Sequence, residues 1–174
     1  MSIVNKPEVS RAIALMYEAL FVFIAAIAAL FLYLAIFTPM GTAGIIASIG
    51  SAFVGLVILS ILLSLYQTRY ILTNQDLIVK ATKLIGGSKT VPLQTVRSVE
   101  KTMIPFGIRL FGASFHGGYY HIPGLGRAFL TITNFKDGLL IKTDRGNYII
   151  TPSNPLGFKE DTERAMKNPQ KSTK

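Results

Sequence analysis

The sequence predicts a membrane α-helical hairpin joined to an α+β domain, an antiparallel β-barrel or sandwich capped by one C-terminal helix. Three observations carry that prediction. No Asp, Glu, Lys or Arg occurs between Glu18 and Arg69, a run of 50 residues. From Thr68 onward the pattern changes to short β-type runs broken by turn residues, and a last segment of helical spacing is signalled at both ends. With half of the 174 residues hydrophobic, 16% charged and a mean hydropathy of +0.44, a simple soluble domain does not fit. The chain divides into an N-terminal cytoplasmic or interfacial segment (1–18), a two-helix transmembrane hairpin (19–66), a domain (67–168) and a flexible tail (169–174).

The uncharged run is too long for one span, and Thr38-Pro39-Met40-Gly41-Thr42-Ala43-Gly44 interrupts it with proline and glycine. Residues 19–37 reach about 28 Å at ~1.5 Å per residue and residues 45–66 about 33 Å, against a hydrocarbon core of ~30 Å. The second span holds 13 Ile, Leu, Val and Phe residues, which favour insertion by roughly 4–8 kcal/mol at roughly 0.3–0.6 each. A cleaved signal peptide is the competing reading of the first span. Its apolar run exceeds the usual length, its approach is long and neutral, and a second span follows directly. Lys6 and Arg11 precede the first span, Arg69, Lys80 and Lys83 follow the second, and the connecting loop has no basic residue. The expected topology is a multi-pass protein of the inner (cytoplasmic) membrane with both termini cytoplasmic.

No ionisable residue lies within the spans except Glu18 at the entrance, which disfavours a transporter or channel. Ala43, Ala47, Ser51 and Gly55 recur every four residues, and Ala25 and Ala29 share that spacing. These are the candidate helix-packing residues, for the hairpin itself or for the helices of another subunit.

In the domain, residues 69–73 and 77–82, joined by Asn74-Gln75-Asp76, read as a hairpin that Gly86-Gly87 ends. Val91-Pro92-Leu93 opens a turn into an extended run over 96–104. Residues 128–133, 139–143 and 147–151 follow, with turns at Lys136-Asp137-Gly138 and Asp144-Arg145-Gly146, and predict an antiparallel meander. In the final helix Asn154 is the N-cap, Pro155 occupies the first turn and Asn168-Pro169 is the stop. Phe158, Thr162, Ala165 and Met166 share one face, with Glu160–Arg164 and Glu163–Lys167 as i,i+4 pairs on the wet side.

The chain resembles the membrane-anchored pleckstrin-homology-like (PH-like) domain proteins of bacteria and archaea, in which a two-helix hairpin feeds the first strand of the domain. The resemblance rests on Arg69-Tyr70-Ile71-Leu72-Thr73-Asn74, Leu77-Ile78-Val79, Val91-Pro92-Leu93 with Val96 and Val99, and 148–152 followed by Pro155 and Phe158. It covers roughly residues 45–167. It implies a PH-like fold and a binding or assembly module, frequently an accessory part of larger membrane complexes, without general catalytic residues.

The whole charge excess sits in the domain, since residues 1–18 are neutral and residues 69–174 carry 16 basic and 7 acidic groups. Such a surface suits an anionic leaflet or an acidic partner; nucleic acid is not expected at a membrane. The first hairpin loop, Asn74-Gln75-Asp76, offers no cation and departs from the pattern of lipid-headgroup-binding PH domains. Lys80, Lys83 and Lys89 remain as a diffuse basic edge. The 111–126 stretch holds five of the 15 glycines and both histidines, and is expected to be a mobile loop or a site of close approach. Without a nearby carboxylate His116 and His121 make neither a metal set nor an oriented base. The absence of cysteine excludes disulfides, thiolate metal sites and Cys nucleophiles, no Ser-His-Asp or paired-carboxylate arrangement stands out, and neither catalytic residues nor cofactors are expected. Phe111, Phe115, Tyr119 and Tyr120 offer an aromatic surface for a partner or the bilayer interface. Phe115, His116, Tyr119, Tyr120 and Arg127 are therefore candidate partner or lipid contacts. The expected function is that of a non-catalytic, membrane-anchored adaptor or accessory subunit acting through protein contacts with other membrane subunits or itself, the alternative being an anionic-lipid-binding module.

Overall fold

The computed structural model describes residues 2–114 and 116–167. It contains two compact units, one of Arg11–Leu63 and one of Met1–Ser10 with Ser64–Lys174.

The first unit is a helical hairpin. Helices α1 (Arg11–Phe37) and α2 (Gly41–Gln67) have 27 residues each, about 40 Å at ~1.5 Å per residue. Both are long and apolar enough to cross a membrane. Only Thr38, Pro39 and Met40 separate them, so the break is shorter than the sequence reading placed it, and α1 begins well ahead of residue 19.

The second unit is built on two sheets. β1 (Ile3–Asn5), β2 (Arg69–Leu72), β3 (Asp76–Lys80) and β4 (Lys89–Pro92) form an antiparallel sheet in chain order. β1 corrects the reading of 1–18 as a separate approach segment: Ile3 pairs with Leu72 and Asn5 with Tyr70. Asn5 Oδ1 also accepts the backbone N–H of Ser153 at 3.0 Å. Three residues are too few for periodicity to reveal a strand.

The second sheet comprises β5 (Val96–Thr102), β6 (Ile108–Ser114), β7 (Gly117–Ile122), β8 (Gly126–Thr131), β9 (Gly138–Thr143) and β10 (Gly146–Ile150), ordered β5-β9-β10-β8-β7-β6. The expected meander of the last three strands is therefore corrected. β10 lies between β9 and β8 and runs parallel to β8. Threonines fasten that parallel pair, since Thr133 N–H donates to Thr151 Oγ1 at 2.8 Å and the two hydroxyls lie 3.0 Å apart. The sheets do not close into a barrel.

The main core lies between the sheets, with Tyr70, Leu72, Leu77, Val79 and Val91 facing Val99, Phe129, Leu139, Ile141 and Ile150. Tyr70, fully buried, links them: its hydroxyl donates to the Thr131 carbonyl at 2.9 Å and accepts the Thr151 N–H at 3.3 Å. Burial pushes its pKa up to about 12, so it remains a donor. α3 (Pro155–Lys167) adds Phe158, Ala165 and Met166 to this core. Asn154 caps it through the Gly157 N–H at 3.1 Å. On its wet side the recorded ion pairs are Lys159–Glu163 at 3.6 Å and Asp161–Arg164 at 3.5 Å, not the two expected from spacing. A second cluster, Tyr120, Ile122, Ala128, Leu130, Ile132, Leu140 and Ile149, occupies the opposite face of the six-stranded sheet.

The expected loop over 111–126 is instead the hairpin of β6 and β7, with irregular register at Arg109/Phe111 and Phe111/Ser114. Its glycine at 117 serves close approach. A Cβ there would stand 2.2 Å from the Ile85 carbonyl oxygen, so the short 3₁₀ turn Lys83–Ile85 packs on bare backbone.

Candidate functional site

A row of aromatic side chains crosses three neighbouring strands on the core face of the six-stranded sheet. Tyr119 of β7 stands opposite Phe129 of β8, and Phe129 beside Tyr148 of β10. The Tyr119 and Phe129 ring centroids are 5.3 Å apart, those of Phe129 and Tyr148 6.2 Å. At the open seam between the sheets this row is the floor of a depression of about 230 Å³, lined also by Arg127, Arg145, Gly146 and Asn147.

Two residues earlier on the same face of β8, Arg127 lays its guanidinium over the Tyr119 ring, 4.3 Å from the centroid. From β4 of the other sheet, Lys89 Nζ stands 5.2 Å from the Tyr119 centroid and 5.3 Å from that of Phe129. Such contacts favour the cation while leaving its N–H groups free to bind. The β9–β10 turn carries Arg145 and is pinned by Thr143, whose hydroxyl donates to the Gly146 carbonyl at 2.7 Å and accepts the Arg145 N–H at 3.1 Å. Asn147 is fixed by its amide, which donates to the Leu125 carbonyl at 2.9 Å. Among the described residues no carboxylate lines the depression.

Three other cations on this sheet are matched. Arg97 pairs with Asp144, Lys101 with Asp137 at 2.9 Å and Lys142 with Glu100 at 2.9 Å. The hydrogen bond from Lys142 holds the Glu100 carboxyl below its ordinary range. Among the described residues Lys89, Arg127 and Arg145 have no acidic partner.

The sequence-derived contact residues divide between two faces. Tyr119, Arg127 and Lys89 come together at the depression. Tyr120 and His116 are buried, Tyr120 within the cluster on the other face, which removes both from an accessible surface. Burial raises the Tyr120 hydroxyl pKa and lowers that of the His116 imidazole, the latter opposed by a backbone hydrogen bond with Ile132. Lys80 ends β3 and Lys83 lies in the 3₁₀ turn, both exposed and outside the depression. Phe115 lies outside the described residues. Consecutive residues of a strand point to opposite faces. Reading Tyr119-Tyr120 as strand would have separated the two rings and put Tyr119 with Phe129, whereas Arg145, Asn147 and Tyr148 join through the β10–β8 pairing, which no local pattern announces.

The hairpin seam is offset from the small-residue pattern. A Cβ on Gly44 would lie 2.7 Å from the Ala35 Cβ, Ser48 donates to the Ala28 carbonyl at 2.9 Å, and Gly55 faces Phe21 and Ile24. Gly55 is thus in the seam; Ala25, Ala29 and Ala43 are exposed, and Ala47 and Ser51 are partly so. The Ser51 hydroxyl bonds the Ala47 carbonyl of its own helix at 2.9 Å.

A second exposed feature is apolar. β6 is an edge strand whose Ile108, Leu110 and Phe111 are exposed, and Phe106 just before it is 92% exposed. Among the described residues no group of three or more His, Asp or Glu could hold a metal ion.

Two sheets followed by a C-terminal helix are the architecture of a PH-like domain, and PH domains are generally non-catalytic binding modules. The family model described as "Bacterial PH domain" matches residues 68–166, more than half of the chain, and the protein belongs to that family. No curated protein and no solved structure matches the chain.

Proposed function

We propose that the protein is a membrane-anchored, non-catalytic adaptor or accessory subunit of a larger membrane complex, acting through protein–protein contacts. The observation that carries this reading is the apolar edge of the six-stranded sheet. Phe106, Ile108, Leu110 and Phe111 are exposed beside a strand with one unpaired side, and such an edge is a template for another chain. In this reading α1 and α2 span the inner membrane with both termini cytoplasmic. The pairing of β1 with β2 supports that topology, because the strands before and after the hairpin share one sheet and so belong on one side of a bilayer. The test is native mass determination of the full-length protein, extracted gently from its own membranes, with identification of what co-purifies. A stoichiometric partner that is lost with Phe106→Ser plus Ile108→Ser is expected; a lone monomer or homo-oligomer overturns the reading.

The alternative, an anionic-lipid-binding module, is favoured by the 16 basic against 7 acidic groups of residues 69–174. It predicts that the full chain, reconstituted in anionic vesicles, shields its exposed Lys80 and Lys83 from amine labelling, and that added salt removes the shielding. The full chain is required, since a fragment from residue 69 lacks β1.

A further inference from the structure

We propose that the open seam between the two sheets is a binding site for a small organic phosphomonoester, its phosphate held by Arg127, Arg145 and Lys89 and its carbon body resting on Tyr119 and Tyr148. This assignment goes beyond both functional readings, since neither names a ligand or a site.

Three features support it. The first is charge: two arginines, from β8 and the β9–β10 turn, line one depression in which no carboxylate appears among the described residues, and Lys89 of β4 stands over the Tyr119 and Phe129 rings of its floor. Elsewhere on the sheet Arg97, Lys101 and Lys142 have acidic partners. A dianionic phosphate offers the charge and the several acceptor oxygens that two guanidinium forks satisfy.

The second is preorganisation. Arg127 stands over the Tyr119 ring and Lys89 over two rings, so part of the side-chain ordering that binding demands is already present. The turn carrying Arg145 is fixed by Thr143. Gly146, at φ 140°, lines the depression without a side chain, in a backbone conformation other residues rarely adopt.

The third is size. A volume of about 230 Å³ falls below the ~300–1,000 Å³ of sites that enclose drug-sized ligands. A phosphate with a small ring or glycerol-sized body suits it, and a whole nucleotide or a folded peptide does not. The phosphate can come from a lipid headgroup or from a soluble metabolite.

The experiment uses the full-length protein in neutral detergent and titrates it calorimetrically with phenyl phosphate, with dihexanoyl phosphatidic acid and with a hexaglutamate peptide. Saturable 1:1 binding of a phosphomonoester is expected, weakened about tenfold by Arg145→Gln and about tenfold by Arg127→Gln, one charge-assisted contact being lost in each. The control Lys83→Gln plus Lys136→Gln, which removes two charges outside the depression, should change affinity less than twofold. Binding of both phosphates supports the site with a soluble source open to it, and binding of phosphatidic acid alone supports the site with a lipid source. Absence of saturable phosphate binding, equal sensitivity to the control, or tighter binding of hexaglutamate overturns the proposal. Both arginines are exposed; if Arg127→Gln lowers the melting temperature by releasing Tyr119, Arg145→Gln decides alone. No readout involves a protein partner, so failure here leaves the adaptor reading standing, and the reverse holds for the co-purification test.

Discussion

The four-stranded sheet buries one face of its strands, whereas the six-stranded sheet buries both. In β2 and β3, Tyr70, Leu72, Leu77 and Val79 are buried while Ile71 and Ile78 alternate with them toward solvent. In β8 to β10, Phe129, Ile141 and Ile150 face the main core, and Leu130, Leu140 and Ile149 face the second cluster. Alternation fixes register, because a slip of one residue turns every side chain to the wrong face. A strand apolar on both faces carries no such penalty in its pattern, and its partners must be chosen by other means. Here these include the Thr133–Thr151 fastening and the bare backbone of Gly117.

The contrast can be broken most severely at Ile149. Ile149→Asp places an unpaired charge in a position 1% exposed and should cost about 3–5 kcal/mol or prevent folding, while Ile78→Thr on the outer face of the smaller sheet should stay within about 0.5 kcal/mol. Urea unfolding of the full chain in detergent, followed by near-ultraviolet dichroism of its tyrosines, compares the two. Tyr70→Phe removes the hydroxyl that joins the sheets and leaves the Thr131 carbonyl and Thr151 N–H short of a partner. A loss of about 1–3 kcal/mol is expected by the same measurement. Gly117→Ala should cost a comparable ~1–3 kcal/mol and show enhanced hydrogen exchange confined to β6, β7 and the 83–86 turn; unchanged exchange there contradicts the close-approach role.

The smallest effect is a pH dependence at His116. Burial lowers its pKa below the ordinary 6.5, so the fold favours the neutral imidazole and the unfolded chain binds the proton more readily. The contribution is therefore fully present above about pH 6.5 and declines as the pH falls through the window below it. Melting of the wild type and of His116→Gln at about pH 7.5 and pH 5.5 should show the steeper decline in the wild type; equal slopes contradict the assignment.

Legibility followed the same division. The paired helices, the first hairpin and the capped final helix were readable because a charge-free run, a short polar connection between two apolar runs and the Asn154-Pro155 start are local signals. The strand order β9-β10-β8 was not, since residues 128–133, 139–143 and 147–151 pattern alike whichever neighbour they take. At the depression the sequence marked Lys89, Tyr119 and Arg127 as contact residues but grouped Lys89 with Lys80 and Lys83, and the other two with Tyr120, which strand alternation turns to the opposite face, and His116, which is buried in the β6–β7 turn. Arg145 and Tyr148 enter only through a parallel pairing, which has no short-range signature. In the hairpin, the four-residue spacing found Gly55 but not Gly44 and Ser48, because several small-residue stripes coexist on one helix and only contact with Ala35 and Ala28 selects among them.

The pairing of Ile3 with Leu72 brackets the whole helical hairpin in sequence. During synthesis β1 leaves the ribosome first and its partner follows 69 residues later, roughly 3–14 seconds at ~5–20 residues per second. The sheet can be completed only after both helices have been made. The N-terminal strand thus acts as a latch, and an assembled domain reports that the hairpin between its first two strands has already been delivered.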